Sequence, residues 1–343
     1  MCEEIIKLAL LEDLKPNGDL SSLLIPDFQK KICARLIAKA DGVMACGHLV
    51  QKILDSYQEL LVSEFQLEPL ERAEVQVLVK DGAEFKSGDI LFTINSSAIL
   101  ALGAERTILN FLQRLSGIAS ATKKLNDLIK DFPVKLLDTR KTMPGLRALE
   151  KEAFRAGGGT NHRASLSSMI MLKENHLAVL GLDLITSVRA MRTKLAEKNL
   201  SEIKIEIEIN SDNLSKLGEI LKEKIDIIML DNFSPDAIRP ILSQIRQARP
   251  EIMIEASGGI NKTNIIDYAK TGVDYISVGS VFTQCNNVDI SILLYDSSKT
   301  EYLGSSSSPL NSPSCLALSI KYPANTINNR QISPGPIQGQ APA

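Results

Sequence analysis

The chain has 343 residues, 44% hydrophobic and 23% charged, and its 39 Lys and Arg against 41 Asp and Glu leave a formal net charge of -2. That balance excludes a global basic field of the kind that recruits nucleic acid, so any anion site must be a local concentration of cations. Five scattered cysteines (Cys2, Cys33, Cys46, Cys285, Cys315) form no metal or disulfide pattern, and no apolar run reaches the roughly 20 residues needed to span a bilayer.

The opening stretch MCEEIIKLALLEDL reads as an amphipathic helix, with Glu3 and Glu4 the wrong charge for a signal peptide. A reducing, cytoplasmic home without a membrane partner is expected. KICARLIAKA at 31–40 has strand character. In EVQVLVKDGAEFKSGDILFTI, Asp81-Gly82 and Gly88-Asp89 supply turns between alternating runs. A helix is predicted from near Leu100, with Ile108, Leu109, Leu112 and Leu115 at helical spacing. Residues 1–110 are expected to form a first, mixed domain.

From Pro133 to about Ser280 one theme recurs: a short β-rich apolar run, a polar cluster, then an amphipathic segment. The runs are VKLLDTRK, MIMLKENH, IKIEIEIN, IDIIMLDN, EIMIEASGG and VDYISVGS. Near-continuous hydrophobic strands alternating with helices predict a parallel α/β arrangement over residues 111–294. An open, incomplete barrel suits it better than a Rossmann sheet, because no Gly-x-Gly-x-x-Gly follows the first strand. From 295 to 343 charges nearly vanish and Ser, Pro and Asn dominate, so a disordered tail is expected.

In parallel α/β barrels, functional groups gather at the C-terminal strand ends. Here those ends carry Asp138, Thr139, Arg140 and Lys141; Lys173, Glu174, Asn175 and His176; Glu206 and Glu208; Asp231 and Asn232; Glu255 and Ser257-Gly258-Gly259; and Val278-Gly279-Ser280. One or two such groups would be ordinary rim charges, but six in register predict a polar site. Arg140, Lys141, His162, Arg163 and Lys173 would repel one another unless they face a polyanion such as a carboxylate or phosphate. Glu208 and Asp231 are too few for a calcium cage but suit Mg²⁺ shared with substrate phosphates or held through water. Ser257-Gly258-Gly259 and Val278-Gly279-Ser280, each expected just before a helix, are candidate phosphate loops. The triple glycine Gly157-Gly158-Gly159 excludes a helix and is followed at once by His162-Arg163. His48 is expected to be structural, and His176 to orient its loop.

These residues fall in motifs that resemble the quinolinate phosphoribosyltransferase family: ERTILNFLQRLSGIAS, DTRKTMPGLRALEKEAFRAGGGTNHR, LKENH, IEIEI, IMLDNF, EASGGI and GVDYISVGS, in that order. ALLEDLKPNGDLSS resembles the family's opening motif, and the likeness runs from about Leu8 to about Leu294. The resemblance implies a type II phosphoribosyltransferase, an N-terminal α/β sandwich domain beside an open α/β barrel. Its last segment could pack back on the first domain. It implies conversion of quinolinate and phosphoribosyl pyrophosphate, with Mg²⁺, into nicotinate mononucleotide, pyrophosphate and CO₂. It also implies a homodimer or an assembly of dimers. Carried over by motif, Arg140, His162, Arg163 and Lys173 would hold the quinolinate carboxylates, with Arg106 reaching in from a neighbouring subunit. Thr139 adjoins them; Lys141, Glu208 and Asp231 would serve the pyrophosphate, ribose and metal end. Ser257 to Gly259 and Val278 to Ser280 would hold the 5′-phosphate. Lys141, Lys173, Glu208 and Asp231 are the catalytic candidates.

The chain departs from the family pattern at Met143, where a second Thr is usual, and at Ala164-Ser165 and Ser168, which replace Gly and Asp. VFTQCNN lacks the usual Thr-His-Ser. Two alternatives stand beside this reading: a nicotinate phosphoribosyltransferase, for which so many cations are over-supplied, and a non-catalytic barrel protein, against which the retained Arg106, Lys141, Lys173, Glu208 and Asp231 argue.

Overall fold

The computed structural model describes residues 2–24, 27–180 and 183–296. Helix α1 (Cys2–Leu14) buries Ile6, Leu10 and Leu14, one residue per turn on a single stripe. Asp19 caps the short α2 (Leu20–Leu23) by accepting the backbone N–H groups of Ser21 and Ser22. Next come β1 (Lys31–Ala38), β2 (Gly42–Val43), α3 (Leu49–Ser63), β3 (Glu74–Val77), β4 (Glu84–Phe85) and β5 (Ile90–Ser97). The long stretch from 74 to 94 is therefore two separated strands, β3 and β5, paired antiparallel, with β4 turned aside to pair β2.

The antiparallel sheet has the order β12-β1-β5-β3, its fourth member being the last strand, β12 (Ile290–Asp296). Tyr295 stacks on the Arg35 guanidinium at 4.5 Å from the ring centre. The first two residues of the expected tail thus belong to a strand, and 297–343 lie outside the described residues. Helix α4 (Ala98–Ile129) starts at the end of β5 and runs unbroken past residue 110. Apolar on several faces, it packs against α3 on one side and α5 (Arg147–Ala156) on the other, so one helix serves both cores.

The barrel strands are β6 (Lys135–Leu137), β7 (Ile170–Leu172), β8 (Ile205–Ile209), β9 (Ile227–Asp231), β10 (Met253–Ser257) and β11 (Tyr275–Ser277). The helices among them are α6 (Glu174–Leu180), α7 (Leu184–Glu197), α8 (Leu217–Ile220), α9 (Pro235–Ala248), α10 (Ile265–Ala269) and α11 (Ser280–Thr283). All six strands are parallel, in the order β6-β11-β10-β9-β8-β7. A closed barrel would also pair β6 with β7; here that seam is open. The Gly157–His162 segment lies along it: Thr160 bridges Leu137, donating to Leu136 O at 2.8 Å and accepting from Asp138 N at 3.3 Å.

Candidate active site

Alternate residues of a barrel strand point inward, and the last inward residues open onto the C-terminal face. There the strand ends frame a cavity of about 790 Å³. Thr139, Arg140 and Lys141 line it after β6, and Lys173 after β7. Glu208 of β8, Asp231 of β9, Ser257, Gly258 and Gly259 of β10 and its loop, Gly279 and Ser280 after β11, and His162 and Arg163 also line it, leaving out only Val278 and Arg106 of the predicted set. A groove of about 1020 Å³ between α1 and α3 is larger, but its Glu3, Lys7, Lys52 and Arg72 are of mixed sign and none of its lining residues lies in a barrel strand.

One end of the cavity is cationic. Burial, and then the neighbouring Arg140 charge, hold Arg163 below the usual guanidinium range. Arg140 Nε is buried without a hydrogen-bond partner, while Arg163 Nη1 is tethered to Met169 O at 3.2 Å. Two crowded guanidiniums with an unused donor are the arrangement an incoming carboxylate would relieve. Lys173 Nζ rests on the Glu208 carboxylate. Its backbone N–H donates to Nδ1 of the exposed His176 at 3.1 Å, so His176 orients this loop.

The opposite end is built from backbone. Asp231 and Ser257 are register partners on β9 and β10. The next residue, Asn232, has φ +60 and donates its N–H to Ser257 O at 2.9 Å. Gly258 has φ +97, and a Cβ there would sit 2.2 Å from Asn232 Oδ1 and 2.8 Å from its backbone N. Only glycine fits this turn. A Cβ on Gly259 would meet nothing within 4 Å, and one on Gly279 would press at 3.0 Å on Cδ of Lys141. Lys141 therefore crosses toward this end.

Two expectations need correction here. Val278 is 1% exposed and its N–H donates to Leu137 O at 3.1 Å, so it has no donor left for a phosphate. No helix follows Gly259 directly either: α10 begins at Ile265, and the intervening loop is folded on itself through Asn261 and Asn264. Arg106 is exposed on α4 and does not line the cavity of its own chain.

The triple glycine is a packed element. A Cβ on Gly157 would lie 2.4 Å from Ala119 O of α4, and one on Gly159 would lie 2.1 Å from the Phe154 ring. Beyond it, Asp138 Oδ1 accepts His162 N–H at 2.8 Å and the ammonium of buried Lys151, which also donates to His162 O at 3.2 Å. With its amide nitrogen facing Asp138, Asn161 donates to Asp138 Oδ2 at 2.9 Å and accepts from Arg155 Nη1 at 2.9 Å. Arg114 of α4 grips buried Glu150 at 2.8 and 2.5 Å, and Glu150 accepts Met143 N–H at 3.2 Å. Neither Lys151 nor the Arg114–Glu150 pair was foreseen from sequence; the only signal was charge on the otherwise apolar side of a helix.

His162 itself points into the barrel, 7% exposed, with Nε2 3.0 Å from Glu206 Oε2 and 3.2 Å from Glu255 Oε2. Glu206, expected among the strand-end polar groups, is fully buried beneath Glu208, two residues on along the same face of β8. Burial alone would lower the His162 pKa, but contact with the two carboxylates outweighs it and raises it to about 9. Burial, opposed by His162 and reinforced by Glu255, raises Glu206 to about 7. Nδ1 accepts the Arg163 N–H at 2.6 Å, which only a ring without a proton on Nδ1 can do. The geometry thus favours an Nε2–H imidazole, with the extra proton on the buried carboxylates; the trio's charge is the same either way.

Fold and site together define an α/β enzyme whose open barrel carries a cation-rich cavity at its C-terminal face. Residues 19–116 match the family description "Quinolinate phosphoribosyl transferase, N-terminal domain", and residues 118–293 match "Quinolinate phosphoribosyl transferase, C-terminal domain". The chain belongs to the quinolinate phosphoribosyltransferase family. Among its relatives is the carboxylating nicotinate-nucleotide pyrophosphorylase of Mycobacterium leprae, 34% identical over 84% of this chain and 95% of that one. A probable enzyme of the same name from Synechocystis is 36% identical over 82% of this chain and 89% of its own. The crystal structure of nicotinate-nucleotide pyrophosphorylase from Ehrlichia chaffeensis superposes with a TM-score of 0.74 at 32% identity, covering 86% of this chain and 99% of that one.

Proposed function

We infer that the protein transfers the phosphoribosyl group of phosphoribosyl pyrophosphate to quinolinate, releasing pyrophosphate and CO₂ and leaving nicotinate mononucleotide for NAD biosynthesis. The observation that carries this reading is the crowding of Arg140 against Arg163 with an unused Arg140 donor, beside Lys173 at the same mouth. Quinolinate has two carboxylates to match these cations; nicotinate has one and would leave part of the charge unmatched. The names of the relatives agree with this chemistry.

In this reading Arg140, Arg163 and Lys173 hold the pyridine dicarboxylate, while His162, expected from sequence to join them, has both ring nitrogens engaged elsewhere and stands behind Arg163. Thr139 Oγ1 accepts the Lys141 N–H at 3.1 Å and so shapes the loop that carries Lys141 toward the phosphates. Ser257, Gly258, Gly259, Gly279 and Ser280 receive the 5′-phosphate. The pyridine nitrogen bonds to the anomeric carbon as the bond to pyrophosphate breaks. Glu208 and Asp231 then face the positive charge developing on the ribose, an electrostatic contribution that needs no reorganisation. The C2 carboxylate leaves as CO₂, its bonding electron pair stays on C2, and Lys141 or Lys173 supplies the proton that fills it.

The hard oxygen donors Glu208 and Asp231, at neighbouring strand ends, fit Mg²⁺ held through substrate phosphates or water. Bound there, the ion would neutralise charge on the leaving pyrophosphate. Arg106, exposed on α4, is free to serve the cavity of a second copy, so a homodimer or an assembly of dimers with shared sites belongs to the reading. The free thiols of Cys2, Cys46 and Cys285 agree with a cytoplasmic setting. A substrate panel tests the choice of acid: quinolinate turnover should exceed nicotinate turnover, and the reverse order would overturn it.

A further inference from the structure

At the cavity floor, Glu206 of β8 and Glu255 of β10, the latter among the lining residues, converge from two strands on one His162 nitrogen, at 3.0 and 3.2 Å. Both carboxylates are fully buried. Glu255 Oε1 takes the Ser277 hydroxyl, but the contacts of His162 Nε2 with Glu206 and with Glu255 Oε2 are close polar approaches rather than aligned hydrogen bonds. For stability alone this is a poor use of a barrel core, because apolar residues of similar volume commonly do as well as a buried charge cluster. What the cluster does accomplish is positional, bracketing the imidazole from two strands. It fixes a ring whose other nitrogen accepts the Arg163 backbone N–H at 2.6 Å.

The segment carrying that ring needs such a fixture. It follows three glycines, lies on the open seam of the barrel, and is bonded to β6 through Thr160 and Asp138. Those contacts stop at the His162 backbone. Arg163, the next residue, must still be aimed at the cavity. The bond of Arg163 Nη1 to Met169 O holds the far end of the side chain, and the Glu206–Glu255 grip on the ring, passed on through Nδ1, constrains its backbone end.

We propose that Glu206 and Glu255 are positioning residues for quinolinate: clamping the His162 ring from two strands, they hold Arg163 in place to meet a substrate carboxylate. This rests on the reading that Arg140 and Arg163 are the carboxylate ligands. Each glutamate acts through His162. Such an effect falls on one substrate only, because the 5′-phosphate and pyrophosphate end is built from other strand ends.

The test is steady-state kinetics on the full-length chain with Glu206→Gln and Glu255→Gln, varying quinolinate and phosphoribosyl pyrophosphate separately. Each variant should raise the quinolinate KM roughly tenfold, the size of a typical coupling between contacting groups, and move the other substrate's KM by less than about twofold. In a His162→Ala background, Glu206→Gln should add nothing further. Glu206→Asp, which keeps the charge, should restore part of the loss and also serves if Glu206→Gln fails to fold. An unchanged quinolinate KM, equal rises for both substrates, or an effect that adds in full to His162→Ala would overturn the clamp. Arg140→Ala, run alongside, separates the two claims. If it raises the quinolinate KM while the glutamate variants do not, only the clamp fails; if it has no effect, the carboxylate reading fails and the clamp with it.

Discussion

Lys173 Nζ is paired with the Glu208 carboxylate across the ends of β7 and β8, so a cation assigned to one substrate rests on an acid assigned to the other. In the proposed reading the pair spans the boundary where the new bond forms.

Removing either partner should therefore have a distinct signature. Glu208→Gln should lower kcat about 100-fold, the size of one preorganised electrostatic contact, with a small change in quinolinate KM. Lys173→Met should raise the quinolinate KM as well as lower kcat, because it deletes a carboxylate partner and leaves Glu208 unpaired. Steady-state kinetics separate the two outcomes; identical profiles would mean the two residues share one role.

The β9–β10 turn offers a paired glycine test. Gly258→Ala would put a methyl group 2.2 Å from Asn232 Oδ1 at φ +97, so it should distort the Asp231–Ser257 corner and cost about 2 kcal/mol or more of stability. Gly259→Ala, at φ +62 but with open space around its Cβ, should keep more of the fold while weakening phosphoribosyl pyrophosphate binding. Thermal melts and substrate KM values measured together check both.

Stability should also depend on pH through the His162 cluster. His162 faces Glu206 on β8 and Glu255 on β10, with Arg163 beside it and Asp138 and Lys151 beneath its backbone. Its pKa is raised from the ordinary 6.5 to about 9. The trio holds one more proton folded than unfolded over this range, so it contributes stability that is fully present below about 6.5 and is lost as pH climbs through about 9. The raised Glu206 acts in the same direction. Urea unfolding should show a loss on the order of 2–3 kcal/mol between pH 6.5 and 9. The slope should flatten in His162→Gln; an equal slope in that variant would remove the cluster as its source.

If Arg106 completes the site of a second copy, two inactive variants should rescue one another. Mixed Arg106→Ala and Lys173→Ala chains, unfolded together and refolded, should recover about a quarter of wild-type activity, because half the dimers are mixed and each holds one intact site. No recovery, with dimers verified by sedimentation, would put Arg106 outside the site.

The polar strand ends were legible because β periodicity and the parallel α/β pattern together place Arg140, Lys173, Glu208, Asp231 and Ser257 on one face without any knowledge of contacts. The shape of the seam was not. Whether Gly157 to Gly159 form a loose linker or a packed element depends on Ala119 of α4 and the Phe154 ring, partners that local sequence does not name. The same holds for Glu206: two residues from Glu208 and chemically identical, it differs only in depth, and depth comes from the neighbouring strands. Val278 failed as a phosphate ligand because its N–H was already used by β6, a pairing between the two ends of the barrel sequence.

The central claim is tested most directly by following products in one reaction containing quinolinate, phosphoribosyl pyrophosphate and Mg²⁺. Nicotinate mononucleotide, pyrophosphate and CO₂ should appear in equal amounts, with none formed when quinolinate is omitted. Pyrophosphate without CO₂, or product formed from nicotinate but not quinolinate, would contradict it.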